Sequence, residues 1–215
     1  LVFCYFGLAQ KFAIGTVNTI KGTAFDPGSK TIFAIYSDSI RAFYAPDYNK
    51  SKVFPFTKPV ADFPEVFRIV WSNTSINFVD NNGGAVFRFI NDTLIQVDSS
   101  FEHRMQISST LFERKDTIMR YGGYGFWSNR NFFTFFDEQT GNWEMVPPTG
   151  SNDFPEGTAE VQIVQNGDSI FTLGGGRLNF RNPLIGESYP HVWLFQMQQR
   201  RWDYMGKWSG KISRS

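Results

Sequence analysis

Two distant stretches of this chain repeat one phrase. Ile118-Met119-Arg120-Tyr121-Gly122-Gly123 leads to the aromatic run Phe132–Phe136, then Asp137, Thr140, Asn142 and Trp143. Ile170-Phe171-Thr172-Leu173-Gly174-Gly175 leads to His191–Phe195, then Arg201, Trp202 and Gly206. The glycine pairs lie 52 residues apart and the tryptophans 59. A period near 50 constrains the fold more than any other feature, because it demands one small unit used repeatedly. Each unit reads as apolar strand, Gly-Gly, variable loop, aromatic strand, polar turn and Trp strand. The glycine pair lets backbones crowd where a Cβ would clash, and the tryptophan covers the apolar face between units.

Upstream the same rhythm continues without the glycine pair. Thr31–Ser37, Ser39–Ala45 and Lys52–Phe56 read as strands of one unit. Val66–Val70, Ser75–Asp80, Ala85–Ile90 and Thr93–Asp98 read as another, with Asn81-Asn82-Gly83-Gly84 as a hairpin turn. No stretch of a dozen residues carries a 3.6-residue period, so helices should be scarce. The 24 Phe, 8 Tyr, 6 Trp and 19 Gly suit many short strands and tight turns. Two shorter phrases also recur. Asp62-Phe63-Pro64-Glu65 returns as Asp153-Phe154-Pro155-Glu156. Asp-Ser/Thr-apolar occurs at Asp38-Ser39-Ile40, Asp92-Thr93-Leu94, Asp116-Thr117-Ile118 and Asp168-Ser169-Ile170. The expectation is four equivalent turns, each closed by the aspartate accepting an N–H two residues on.

The Gly-Gly to Trp pattern resembles the kelch repeat, most clearly over residues 105–206. The resemblance implies an all-β, kelch-like β-propeller in which each repeat is one four-stranded blade. Over 13–206 the units become about four blades, near 13–60, 61–104, 105–150 and 151–206. Kelch rings usually carry more than four, so the ring is expected to be incomplete and 207–215 to begin a C-terminal continuation. Gly122, Gly123, Trp143, Gly174, Gly175 and Trp202 are the structural motif residues.

Residues 1–9 are uncharged and almost wholly apolar, and end in Gly7-Leu8-Ala9 before Gln10-Lys11. This matches the tail of a secretory signal and its cleavage site, so an exported protein is expected, in the periplasm, at the cell surface or outside the cell. No apolar run approaches the roughly 20 residues of a membrane helix. The 21 Lys+Arg against 20 Asp+Glu give a net charge of +1, without the basic stripe of a nucleic-acid partner. One cysteine, Cys4, and two histidines, His103 and His191, exclude a disulfide framework and leave little for a metal site. No metal or cofactor is expected. Copper radical oxidases similar to galactose oxidase need a Cys–Tyr crosslink, which Cys4, inside the expected signal, does not supply. The Asp box of sialidase propellers is absent.

The loops after the glycine pairs carry the candidate chemistry. Arg130-Asn131 and Arg181-Asn182 appear in what read as corresponding loops. Arg offers a planar fork to carboxylates, and Asn both a donor and an acceptor. Tyr124, Trp127 and Tyr189 stand close by in sequence for stacking on a sugar ring or peptide side chain. Glu113, Asp137, Glu138, Glu144, Glu156 and Glu187 show no spacing that selects a catalytic pair. The Asp-Ser/Thr triplets also look like the O-glycosylation signal of exported Bacteroidetes proteins, with Ser39, Thr93, Thr117 and Ser169 as acceptors. The reading reached is a non-catalytic binding or scaffolding module whose loops contact a glycan, a peptide, a partner domain or further blades of the same chain. Two rivals are a periplasmic carbohydrate-active enzyme resembling the kelch-type sialic acid mutarotase, and the sensory ectodomain of a longer membrane-anchored regulator.

Overall fold

The computed structural model describes residues 20–26, 28–36, 38–56, 67–72, 75–81, 83–90, 93–100, 104–150, 153–179 and 182–209. Among these there is no helix; every regular element is a strand. The expected signal at 1–9, with Cys4, lies outside the described residues, as do His103, Arg181 and residues 210–215. The chain divides into two compact units, Leu1–Phe63 and Pro64–Ser215.

The first unit holds one antiparallel sheet of β1 (Gly22–Asp26), β2 (Thr31–Ile35), β3 (Ser39–Tyr44) and β4 (Lys50–Pro55), ordered as in the chain. Strand alternation puts Ile35, Ile40, Ala42 and Phe54 on one buried face, with Ile40 opposite both Ile35 and Phe54. Asp26 accepts the Gly28 N–H at 2.8 Å and closes the first turn. Exposed Lys50 and Lys52 blunt the outer edge.

The second unit holds three four-stranded meanders. Sheet two is β5 (Phe67–Ser72), β6 (Ser75–Asp80), β7 (Val86–Ile90) and β8 (Thr93–Gln96). Sheet three pairs β9 (Thr110–Arg114), β10 (Thr117–Tyr121), β13 (Phe133–Asp137) and β14 (Asn142–Val146). Sheet four pairs β15 (Gln162–Asn166), β16 (Ser169–Leu173), β19 (His191–Gln196) and β20 (Arg201–Lys207). Two hairpins, β11–β12 (Tyr124–Gly125, Ser128–Asn129) and β17–β18 (Gly176–Asn179, Asn182–Ser188), interrupt sheets three and four at the same point, between second and third strands.

Apolar layers between neighbouring sheets make the core. Val70, Val79 and Val86 of sheet two pack with Ile118, Phe136 and Trp143 of sheet three. The opposite face of sheet three offers Met119, Tyr121 and Phe133 to Ile170, Trp193, Phe195 and Trp202 of sheet four. Trp143 and Trp202 thus do the same work one sheet apart. Each follows a four-residue turn whose last residue, Gly141 or Arg200, has a positive φ. Phe133 and Trp202 stack at 5.5 Å and 15°, so the aromatic excess goes into the layers between sheets.

The Asp-Ser/Thr phrases depart from expectation. They precede β3, β8, β10 and β16, which are the third, fourth, second and second strands of their sheets. Only the last two turns are equivalent. At Asp116 the backbone N–H donates to Glu113 Oε1 (2.6 Å), and Asp168 is bound by Arg114, Lys115 and Gln198 across to the neighbouring turn. Among the described residues, the turns that aspartate does close in the expected way include those of Asp26, Asp47, Asp98 and Asp137. A carboxylate there meets the N–H two residues on, whereas a two-residue hairpin turn such as Lys115-Asp116 leaves no room for that contact.

Candidate binding face

In a meander, the connection between the second and third strands leaves the sheet on the same edge as the linker to the next sheet. The β11–β12 and β17–β18 hairpins therefore share one edge of the second unit with linkers 104–109 and 153–161. Backbone bonds join them in the same way twice. Tyr124 exchanges two 2.8 Å bonds with Ile107, and Gly176 exchanges bonds of 2.8 and 2.9 Å with Ala159. Gly123 N–H donates to Thr158 O at 2.8 Å, and Thr158 N–H donates to Arg130 O at 3.0 Å.

These contacts explain the glycine pairs. Gly122 and Gly123 have φ of 69° and 90°; Gly174 and Gly175 have 65° and 99°. A Cβ on Gly123 would lie 2.8 Å from Gln106 O, and one on Gly175 would lie 2.8 Å from Ala159 O. The glycines let the inserted hairpin press against the linker of its own sheet.

The tip of the first hairpin is unusual. Its two turn residues, Phe126 and Trp127, have φ of 46° and 66°. Both positive is the pattern of a type I′ turn, which normally takes Asn-Gly; two bulky rings there are strained. They are also 66% and 80% exposed. Behind them Arg130 lies with its guanidinium carbon 5.5 Å from the Phe126 ring centre and 5.7 Å from that of Phe132. Arg130 Nε is buried and has no hydrogen-bond acceptor among the described residues. A guanidinium held over two ring faces beside an exposed aromatic tip is suited to an anionic group brought from outside. Phe154, 47% exposed in the 153–161 linker, adds a third exposed ring near the same edge.

The other anticipated residues take different places. Asn131 spends its amide on Pro155 O at 2.9 Å, pinning the linker. Tyr189 is 8% exposed, and its hydroxyl accepts from Glu156 N–H and Trp193 Nε1–H, each at 3.1 Å. It belongs to the core beneath the hairpins. Tyr124 is half-buried in β11. The two Arg-Asn pairs do not correspond. Arg130 N–H donates to Gly123 O (2.7 Å), and the residue that donates to Gly175 O (3.0 Å) is Tyr189. Arg181 instead follows Phe180 between paired Asn179 and Asn182, outside the described residues. For Asn182 the description covers the backbone alone.

Nothing in the sequence marks Phe154 or Arg177 as part of this edge, and Glu156, one of the carboxylates without a selecting spacing, is paired through Oε2 with Arg177 Nη1 at 2.5 Å in solvent. The sequence also does not mark a buried polar cluster between sheets two and three. Arg120 is 1% exposed, lies 3.7 Å over the Trp143 ring, and is pushed down to about 9 by burial, with Asp98 opposing that shift. Trp143 Nε1–H donates to Gly84 O (2.7 Å) and Arg104 Nε–H to Gly83 O (2.6 Å). Fully buried Gln106 donates to Gly122 O at 2.9 Å and accepts from Thr134 Oγ1 at 2.6 Å. These groups tie sheet two and the 104–109 linker to sheet three. His191 Nδ1, on β19, lies 3.0 Å from Tyr204 OH on the edge strand β20. Among the described residues no group of three His, Cys, Asp or Glu converges on a metal position. Ser39 is half-buried and donates to Asp38 Oδ1 at 2.8 Å; Thr117 and Ser169 are half-buried at strand starts, and Thr93 opens β8.

No family model matches the sequence, and no curated protein matches it. A solved structure does. That of YjhT superposes with a TM-score of 0.59 over 91% of this chain and 67% of its own, at 13% identity. Identity that low carries the fold alone. With its four-stranded antiparallel sheets, the chain has the all-β fold of a kelch-like β-propeller.

Proposed function

We propose that this chain is a non-catalytic binding module of an exported protein, which engages its partner with the edge that carries the β11–β12 hairpin. The observation that carries this reading is the Phe126-Trp127 tip, strained and exposed, with the Arg130 guanidinium held behind it by Phe126 and Phe132. Aromatic rings and arginine supply most of the energy in binding hot spots. The ligand chemistry is a carboxylate or other anion next to a flat apolar surface, as in an acidic glycan or an acidic peptide.

Titration against a panel of acidic glycans and acidic peptides tests this. Arg130→Ala and Trp127→Ala should each weaken the best binder by about tenfold or more. Wild-type affinity in both variants, or no binder in the panel, overturns the reading. The rival reading as a mutarotase-like enzyme rests on the shared fold, which hosts many chemistries. Proton NMR of sialic acid anomers separates the two: faster anomer exchange with added protein would make the chain an enzyme. The export reading rests on residues 1–9 and is checked by the N-terminus of protein recovered outside the cytoplasm.

A further inference from the structure

The linker 153–161 touches both hairpins of the binding edge. On one side Asn131 donates to Pro155 O at 2.9 Å, and Thr158 N–H donates to Arg130 O at 3.0 Å. On the other side Ala159 exchanges backbone bonds with Gly176, the neighbour of Arg177, and Arg177 Nη1 pairs with Glu156 Oε2 at 2.5 Å. Traced through these backbone contacts, the Cα atoms of Arg130 and Arg177 are at most about 19 Å apart. Glu156 stands on the linker between the two arginines. Among the described side chains, it supplies the carboxylate on the Arg177 guanidinium.

This ion pair is built to exchange. Both of its side chains are about half exposed, so water screens the attraction and holds the partners together only weakly. The arginines that tie sheets together, Arg88 and Arg114, are by contrast largely buried at their ion pairs. Glu156 is anchored by its backbone instead. Its N–H donates to Tyr189 OH at 3.1 Å, and Pro155 beside it is buried. Its carboxylate therefore leaves Arg177 by side-chain rotation while the linker keeps its place. The Arg177 guanidinium is permanently charged, and once released it offers a fork of donors to another carboxylate.

We propose that Arg177 is a second anion subsite of this edge and Glu156 its built-in competitor, so that the edge selects acidic peptides with two carboxylates over those with one. The inference rests on the reading of the Arg130 edge as a binding site. A peptide held at Arg130 by one carboxylate gains from Arg177 only when a second carboxylate displaces that of Glu156. In an extended peptide, acidic residues two or four apart share one face and lie about 7 or about 13 Å from each other. That regular spacing suits two arginines on either side of one linker.

Calorimetric titration of the full chain with short end-blocked peptides tests this. Each peptide carries one tryptophan and either one glutamate or two, the two placed two or four residues apart. Wild type should bind the better two-glutamate peptide about threefold or more tightly than the one-glutamate peptide. Arg177→Ala should remove that preference and leave the one-glutamate affinity unchanged. Glu156→Gln should tighten the two-glutamate peptide by about two- to fivefold, and should do nothing once Arg177 is alanine. Glu160→Gln, at an exposed carboxylate of the same linker, controls for net charge and should leave every affinity at its wild-type value. A preference that survives Arg177→Ala overturns the proposal. So does equal affinity for one and two glutamates in both wild type and Glu156→Gln, or a Glu156→Gln effect of equal size on both peptides. If Arg130→Ala weakens both peptides while Arg177→Ala changes neither, the edge binds but Arg177 is no subsite. If an oligogalacturonate binds and no peptide does, the edge takes an acidic glycan and the peptide selection falls. If neither binds, both readings fall.

Discussion

At the scale of single residues, the glycine pairs matter most, and their chemistry was half legible. The sequence marks them as places of close backbone approach, but not what approaches. At Gly123 and Gly175 that is the linker of the same sheet, and at Gly122 it is Thr158 of the linker to the next, brought there by pairings such as Ile107 with Tyr124, which no local pattern encodes. A substitution separates conformational strain from crowding. At Gly123 both act: φ is 90°, and a Cβ would lie 2.8 Å from Gln106 O. At Gly167 φ is 59° with nothing within 4 Å. Gly123→Ala should therefore cost about 2–4 kcal/mol in urea denaturation, against about 1 kcal/mol for Gly167→Ala. Equal losses would mean that strain alone makes these positions glycine. Arg120 was hidden for a related reason. In Ile118-Met119-Arg120-Tyr121 it reads as the polar side of a strand, and both faces of that strand prove buried.

At the scale of elements, the β11–β12 hairpin shows where pattern reading stops. Tyr124-Gly125-Phe126-Trp127-Ser128-Asn129 lacks an Asn-Gly turn, so sequence alone leaves it a loop rather than a two-residue hairpin. The Arg-Asn pairs were matched by residue identity, while the backbone matches Arg130 with Tyr189. Side-chain identity is a poor guide in inserts, because the hairpins differ in length and only their bases are held in register. The same strain offers a test at this scale. Replacing Phe126-Trp127 by Asn-Gly gives the turn the residues it prefers. The double variant should gain about 0.5–2 kcal/mol of stability while losing ligand binding. A variant that binds as well as wild type would locate the ligand away from the tip; one that loses stability would show that the rings support the fold.

At the scale of the whole molecule, strand alternation made most strands of the four meanders legible and the Trp143–Trp202 spacing marked the last two, whereas β1 and the ties between sheets follow no period. Asp168 illustrates this. Its sequence context reads as a turn, but its carboxylate receives Lys115 Nζ at 3.1 Å, Gln198 Nε2 at 2.6 Å and the Arg114 guanidinium, joining the β15–β16 turn to the β9–β10 turn. The hydrogen bond from Lys115, with the positive charges of Lys115 and Arg114, holds its pKa below the ordinary aspartate value. In the unfolded chain Asp168 titrates near 4. The tie therefore contributes its full stability above about pH 5, and loses it as the pH falls through the depressed folded value. Asp168→Asn should be less stable than wild type at pH 7. The gap should close as the pH drops from about 5 to about 2, because the remaining carboxylates titrate alike in both proteins. Urea midpoints measured across that range decide the matter. A gap that stays constant with pH would mean that Asp168 acts through the shape of its turn and that its charge does not bind the two sheets.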